Sequence, residues 1–212
     1  MKFKYAIFDM DGTLLDSMPY WKNLGENYLL SRGFTPPSNL SEVIKAMSME
    51  ESSEYFRNEF GLKESREEIT AQVNAFIENE YRNVILCKPF VKEYLESLSK
   101  MDIKMCVATA TSKELAVAAL ERDGILKYFK DVCSCDEVGK GKRSPDIFYY
   151  ALKKIDGIKE MTAIFEDAGY AMKTSFEEGF YTVGVFDASC GKSGEEMEKR
   201  CHRYIRSFED LL

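Results

Sequence analysis

Two carboxylates separated by one residue stand near the start of the chain, in Asp9-Met10-Asp11-Gly12-Thr13. On an extended backbone, residues two apart project to the same side, so Asp9 and Asp11 can face one ligand while Gly12 lets the chain turn sharply. Such a pair can divide labour: one ionised oxygen attacks an electrophile, and the other carboxyl carries a proton to or from the reacting group. A phosphate brought to ~4 Å from a carboxylate meets repulsion of about 4 kcal/mol per charge pair at an effective dielectric near 20. Phosphate chemistry at these residues therefore demands added positive charge.

The elements that must position this pair follow from the hydropathy pattern. The apolar run Tyr5-Ala6-Ile7-Phe8 leads straight into Asp9. This reads as a buried strand of a parallel sheet, with the carboxylates at its carboxyl end, the edge at which open α/β sheets bind ligands. From about residue 17 to 85 only helical signals appear. Ser17 and Pro19 open a helix carrying Trp21, Leu24 and Tyr28 on one face and ending at Gly33. Ser48 with Glu51 and Ser65 with Glu68 form two capping boxes; Gly61 ends the first helix, and the second carries Ile69, Val73, Phe76, Ile77 and Val84. After Pro89 helices (91–98, 113–123, 145–154 and one ending at Gly179) alternate with strands (104–108, 132–134, 162–165, 181–185). The alternation predicts an α/β fold, a Rossmann-like parallel sheet flanked by helices, with an inserted helical bundle. The expected division is a discontinuous core of residues 1–15 and 88–212 and a helical cap of residues 16–87, with hinges near 15–18 and 86–89.

At 212 residues, 45% hydrophobic and 31% charged, the chain can bury a full core without covalent staples. The net charge of −7 opposes broad binding to nucleic acid or anionic membranes, so an anionic substrate needs locally placed cations. Too few apolar residues precede Asp9 for a signal peptide, and no apolar stretch approaches a membrane span, so a cytoplasmic protein is expected. The six cysteines lack a framework spacing, and Cys133-Ser134-Cys135 lacks two further zinc ligands, since the only histidine is His202; buried or idle thiols are expected.

The run from Phe8 to Ser17 resembles the first motif of the haloacid dehalogenase superfamily, in its phosphatase branch. The other three motifs appear in the family's order. Thr109, with the backbone N–H of Ala110, resembles the second, which holds phosphate. Lys142 in Gly141-Lys142-Arg143-Ser144-Pro145 resembles the third, and Glu166-Asp167 the fourth, whose acids bind magnesium. The inserted helices are similar to the cap of the subgroup containing β-phosphoglucomutase and phosphoglycolate phosphatase. The resemblance implies a Mg²⁺-dependent phosphohydrolase acting on a small phosphorylated metabolite, as a monomer or weak dimer. Asp9 would form an aspartyl-phosphate and Asp11 would serve as acid and base. Mg²⁺ would sit on Asp9, Asp11 through its backbone carbonyl, and Asp167, with Glu166 behind them. Lys142 supplies a second positive charge.

The pattern departs from the family at three places. Arg143 and Ser144 intervene between Lys142 and Pro145, and Ala168-Gly169-Tyr170-Ala171-Met172 replaces the usual Ser and Gly-Ile after the acidic pair. In the cap, Trp21 stands where β-phosphoglucomutase has a histidine, and 45–49 lacks the Arg that would grip a second phosphate, so hydrolysis is favoured over a phosphosugar mutase reaction. Trp21 and Lys45 are the cap candidates for contacting substrate, with an exposed lysine at a helix end the favoured reading of Lys45. A phospho-accepting receiver module also combines Asp, Thr and Lys, but it has no helical insertion after its first strand.

Overall fold

The computed structural model of the chain describes residues 3–44, 47, 49–190 and 192–212. Two compact units are present: Met1–Met18 with Ile85–Leu212, and Pro19–Val84. Among the described residues no helix is long and apolar enough to cross a membrane.

The first unit is built on a six-stranded sheet of order β3-β2-β1-β4-β5-β6, every neighbouring pair parallel. Its strands are β1 (Tyr5–Phe8), β2 (Lys104–Thr109), β3 (Phe129–Ser134), β4 (Thr162–Glu166), β5 (Tyr181–Val185) and β6 (Arg203–Ile205). Strand β1 lies at the centre, with Phe8 opposite Val107 on one side and Phe165 on the other. Sequence reasoning finds β3 only from residue 132, because Phe129-Lys130-Asp131 alternates partial and full exposure and masks the strand. It misses β6 altogether: three residues beginning with an exposed Arg203 carry too little apolar pattern to register.

Helices cover both faces, as parallel strands require. One face packs Ile7, Cys106, Ala108, Cys133 and Ile164 against Ile147, Phe148 and Ala151 of α8 (Asp146–Lys154). On the aromatic side Phe8 stacks on Phe165 with centroids 4.3 Å apart, and Tyr94 of α5 (Val91–Lys100) meets Phe165 and Phe208 at 5.8 and 5.5 Å. Helix α5 buries Val91, Tyr94, Leu95 and Leu98, the one-sided spacing that makes it a sheet-covering helix. Full burial of each such side chain contributes about 1.5–3 kcal/mol, and this packing holds the strand ends at fixed spacing. The flanking layers are completed by α6 (Lys113–Arg122), α7 (Cys135–Val138), α9 (Gly169–Glu177) and α10 (Lys192–Arg200). All six cysteines are free, three of them buried, and Cys106 and Cys133 touch across β2 and β3 with sulfurs 3.6 Å apart.

Among its described residues the second unit, which begins at Pro19, holds most of α1 (Met18–Ser31) and all of α2 (Leu40–Ile44), α3 (Met49–Phe60) and α4 (Arg66–Asn83). Helix α4 starts from the expected capping box: Ser65 Oγ accepts from the Glu68 N–H, and Glu68 accepts from the Ser65 N–H at 2.8 Å. Its residues Ile69, Val73, Ile77 and Tyr81 are buried at four-residue spacing. The other proposed box falls on Ser48, which lies outside the described residues. Within this unit Gly25 is needed for close packing, since a Cβ there would meet Ile44 at 2.7 Å and Phe56 at 2.9 Å. The connecting segments pair inside the first unit: the Asp16 N–H donates to Leu86 O and the Lys88 N–H to Leu14 O, both at 2.9 Å.

Candidate active site

Asp9 is the first residue beyond β1, and its N–H donates to Phe165 O at 2.9 Å, extending the ladder to β4. Strand β4 ends in Glu166, and Asp167 follows, so the two neighbouring strands deliver three carboxylates to one edge. Lys142 enters from the loop after α7. Its Nζ donates to Asp9 Oδ1 and, at 2.6 Å, to Glu166 Oε1. Burial by itself would lower the lysine's pKa, but the charges of Asp9 and Glu166 outweigh it and hold the ammonium form. A tight turn makes this possible: the Ser144 N–H donates to Gly141 O at 3.0 Å. Lys142 is buried, while Arg143, the next residue, is exposed.

Oxygens of Asp9, Glu166 and Asp167 all lie within 4.8 Å of one another, and each of these side chains is buried. Three carboxylates face one ammonium. Burial, then the charge of Asp9, pushes Glu166 up to about 7, and the same causes, with Glu166 added, drive Asp167 well above the ordinary carboxylate range. A hard divalent cation with a preference for oxygen is the charge this donor set lacks. The backbone leaves room for it: Gly12 sits at φ +80°, and a Cβ there would come within 2.3 Å of Asp167 Oδ2. Both the donor chemistry and this glycine fit a Mg²⁺ ion held by Asp9 and Asp167 with Glu166 beside them.

Asp11 is held differently. Ser17 and Thr111 hydroxyls each donate to its carboxylate at 2.7 Å, and the Thr109 hydroxyl lies 3.4 Å from it. Ser17 thus spends its hydroxyl on Asp11, immediately before α1 begins. Thr109 is fully buried, and its oxygen also accepts from the Thr111 N–H at 3.0 Å, so this hydroxyl serves Asp11 and the turn. Ala110 is exposed and lines, with Asp9, Asp11, Lys142, Asp167 and Tyr170, a cavity of about 420 Å³. Six expected residues of the first unit, Asp9, Asp11, Ala110, Lys142, Glu166 and Asp167, therefore line one cavity. Trp21 lies in the second unit, where its indole N–H donates to the Tyr81 hydroxyl at 2.8 Å. Lys45 lies outside the described residues. Sequence reasoning missed Thr111, although its place two residues after Thr109 is the signal that would have found it.

A family model for haloacid dehalogenase-like hydrolases matches residues 6–185. The chain belongs to this family. It is 27% identical to a phosphorylated carbohydrates phosphatase of Thermotoga maritima over 84% of this chain and 82% of that one. With the β-phosphoglucomutase of Bacillus subtilis it shares 26% identity over 86% and 83% of the two chains. A solved HAD hydrolase of Entamoeba histolytica has the same fold, with a TM-score of 0.79 and 20% identity over 99% and 95% of the chains.

Against the haloacid dehalogenase pattern, the departures have visible structural consequences. Arg143 replaces the proline usual after the motif lysine, and its guanidinium sits 4.8 Å from the ring centroid of Tyr170, itself one of the substituted residues after Asp167. Cys190 stands beside the Glu166–Asp167 pair: its thiol donates to Asp167 O at 3.1 Å and lies 3.6 Å from Asp167 Oδ2. Burial, followed by the charges of Asp167 and Asp187, pushes that thiol up to about 12, so it stays protonated and donates. No sequence pattern pointed to Cys190 as part of this site.

Proposed function

We propose that the protein is a Mg²⁺-dependent phosphohydrolase that releases phosphate from small phosphorylated metabolites through an aspartyl-phosphate on Asp9. The observation that carries this reading is the meeting of Lys142 with Asp9 and Glu166 in a buried acidic cluster beside an open cavity. Mg²⁺ bound by Asp9, Asp167 and the Asp11 carbonyl would neutralise charge on the phosphoryl group and polarise its oxygens.

The chain's own residues then divide the work. An Asp9 oxygen attacks phosphorus in line, forming the new P–O bond as the bond to the leaving oxygen breaks. Asp11 gives its proton to that oxygen, and the product alcohol departs. In the second half Asp11 takes a proton from water, whose oxygen attacks the same phosphorus and frees Asp9 and inorganic phosphate. Ala110 lines the cavity, where its N–H would donate to an equatorial oxygen, and Lys142 offsets negative charge throughout. Thr109 acts by steadying Asp11.

A phosphosugar mutase is the second reading, favoured by the resemblance to the B. subtilis enzyme. Hydrolysis is preferred because the segment 45–49, Lys-Ala-Met-Ser-Met, has no arginine to grip the second phosphate of a bisphosphate intermediate. A panel of phosphorylated metabolites, assayed for inorganic phosphate with Mg²⁺ and with chelator, tests the proposal. Metal-dependent release supports it, and isomerisation of glucose phosphates with a bisphosphate primer but without net release would replace it by the mutase.

A further inference from the structure

Asp167 belongs to two clusters at once. Its oxygens meet Asp9 and Glu166 on one side, and on the other they meet Asp187 and Cys190, whose ligand atoms also lie within 4.8 Å of one another and of Asp167. The second cluster offers two carboxylates and a thiol, a donor set that suits a softer ion such as Zn²⁺ or Co²⁺ better than Mg²⁺. In this protein a cation already sits against it. The Lys88 ammonium is 2.7 Å from Asp187 Oδ2 and donates to Phe186 O at 2.9 Å; the side chains of Lys88 and Asp187 are 13% and 6% exposed. The other Asp187 oxygen accepts from the Ser189 N–H at 2.8 Å. Both Asp187 oxygens that a divalent ion could use are thus engaged, one by Lys88 and one by the Ser189 N–H, and the charge of Lys88 also acts on Asp167.

We propose that Lys88 is a built-in competitor for metal: by pairing with Asp187 it closes the Asp167–Asp187–Cys190 cluster and confines the divalent ion to the Asp9–Glu166–Asp167 side. This rests on the metal-dependent reading above. The segment carrying Lys88 is itself fixed, because the Lys88 N–H donates to Leu14 O and the Cys87 N–H donates to Asp123 at 2.7 Å. Lys88 is a positioning residue; it acts on the phosphoryl site through the ion's location.

Cobalt titration of the whole protein tests this. Wild-type protein should take up one Co²⁺ without a thiolate-to-cobalt charge-transfer band. Lys88→Met should take up two ions and show that band, and the double variant Lys88→Met/Cys190→Ser should lose it. In Lys88→Met the Mg²⁺ concentration for half-maximal phosphate release should rise about 10-fold or more, as when groups behind metal ligands are removed elsewhere. Lys88→Arg, which keeps a cation on Asp187, should bind one ion and show no band, and it reads the proposal if the Met variant does not fold. A thiolate band in wild type, or a Lys88→Met variant that binds one ion with no band, overturns the competitor role and leaves the hydrolase reading standing. Wild-type protein that binds no divalent ion takes both down.

Discussion

Asp9 and Asp11 are two residues apart and face one cavity, yet their surroundings are opposites. Asp9 meets an ammonium, which can only donate, together with the acids of β4. Asp11 meets the hydroxyls of Ser17, Thr111 and Thr109, each able to donate to a carboxylate or, turned over, to accept from a carboxyl. A permanent cation complements the attacking carboxylate of the proposed mechanism. Hydroxyls tolerate either protonation state, which suits a group that gives a proton in one half-reaction and takes it back in the next. The lesson is that partner type, not position along the strand end, sets the two carboxylates apart, and the proposed mechanism assigns them different roles on that ground.

The hardest test of this contrast is Asp9→Asn, expected to lower turnover on any phosphomonoester with Mg²⁺ by on the order of 10⁴-fold or more, with no phosphoenzyme trapped on rapid acid quench. Wild-type rates in that variant would remove the contrast entirely. Asp11→Asn should cost about 10²–10⁴-fold on alkyl phosphates and distinctly less on p-nitrophenyl phosphate, whose leaving group needs no proton. An equal loss on both would deny Asp11 its role as acid. Thr111→Val should lower kcat by about 10- to 100-fold, in line with the roughly 1.5–3 kcal/mol of a hydrogen bond to a charged group, and Thr111→Ser should restore it. Failure of serine to rescue would make Thr111 a packing residue.

The smallest effect sharpens the Asp9 side. Glu166, pushed up to about 7 by burial and by Asp9, keeps its proton in the folded protein at pH values where the unfolded chain has lost it. The folded state therefore binds more protons between the ordinary carboxylate range and about pH 7, and stability falls as pH rises through that window. Thermal unfolding of the metal-free protein should show a midpoint dropping by a few degrees between about pH 5 and about pH 8, and Mg²⁺ should recover most of it at the upper end. A midpoint that rose with pH without metal would mean the acidic cluster is not crowded.

Much of this is legible in the sequence itself. The D-x-D-G-T run after an apolar strand, the capped α4 and the helix–strand alternation are local patterns, and local patterns are what a sequence displays. Lys142 and Asp167 were found by their order along the chain. Hidden residues share a different property: Thr111 meets Asp11 across 100 residues, Lys88 meets Phe186 across 98, and Cys190 reaches Asp167 across 23. Thr111 leaves one local trace, its place two residues after Thr109, but Lys88 and Cys190 leave none, because the sheet brings them to their partners only after folding. The same holds for β6, whose place beside β5 owes more to the neighbouring strand than to its own three residues.

The rung between the Asp9 N–H and Phe165 O has an effect on how the molecule fails. Because main-chain bonding sets the backbone spacing between Asp9 and the Glu166–Asp167 pair, that spacing has the stiffness of the central ladder, and side-chain rotamers move the carboxylates only within it. A solvent or temperature mild enough to loosen surface loops leaves it intact, and only melting of the strands themselves can widen it. Affinity for a divalent ion and global order should accordingly vanish together.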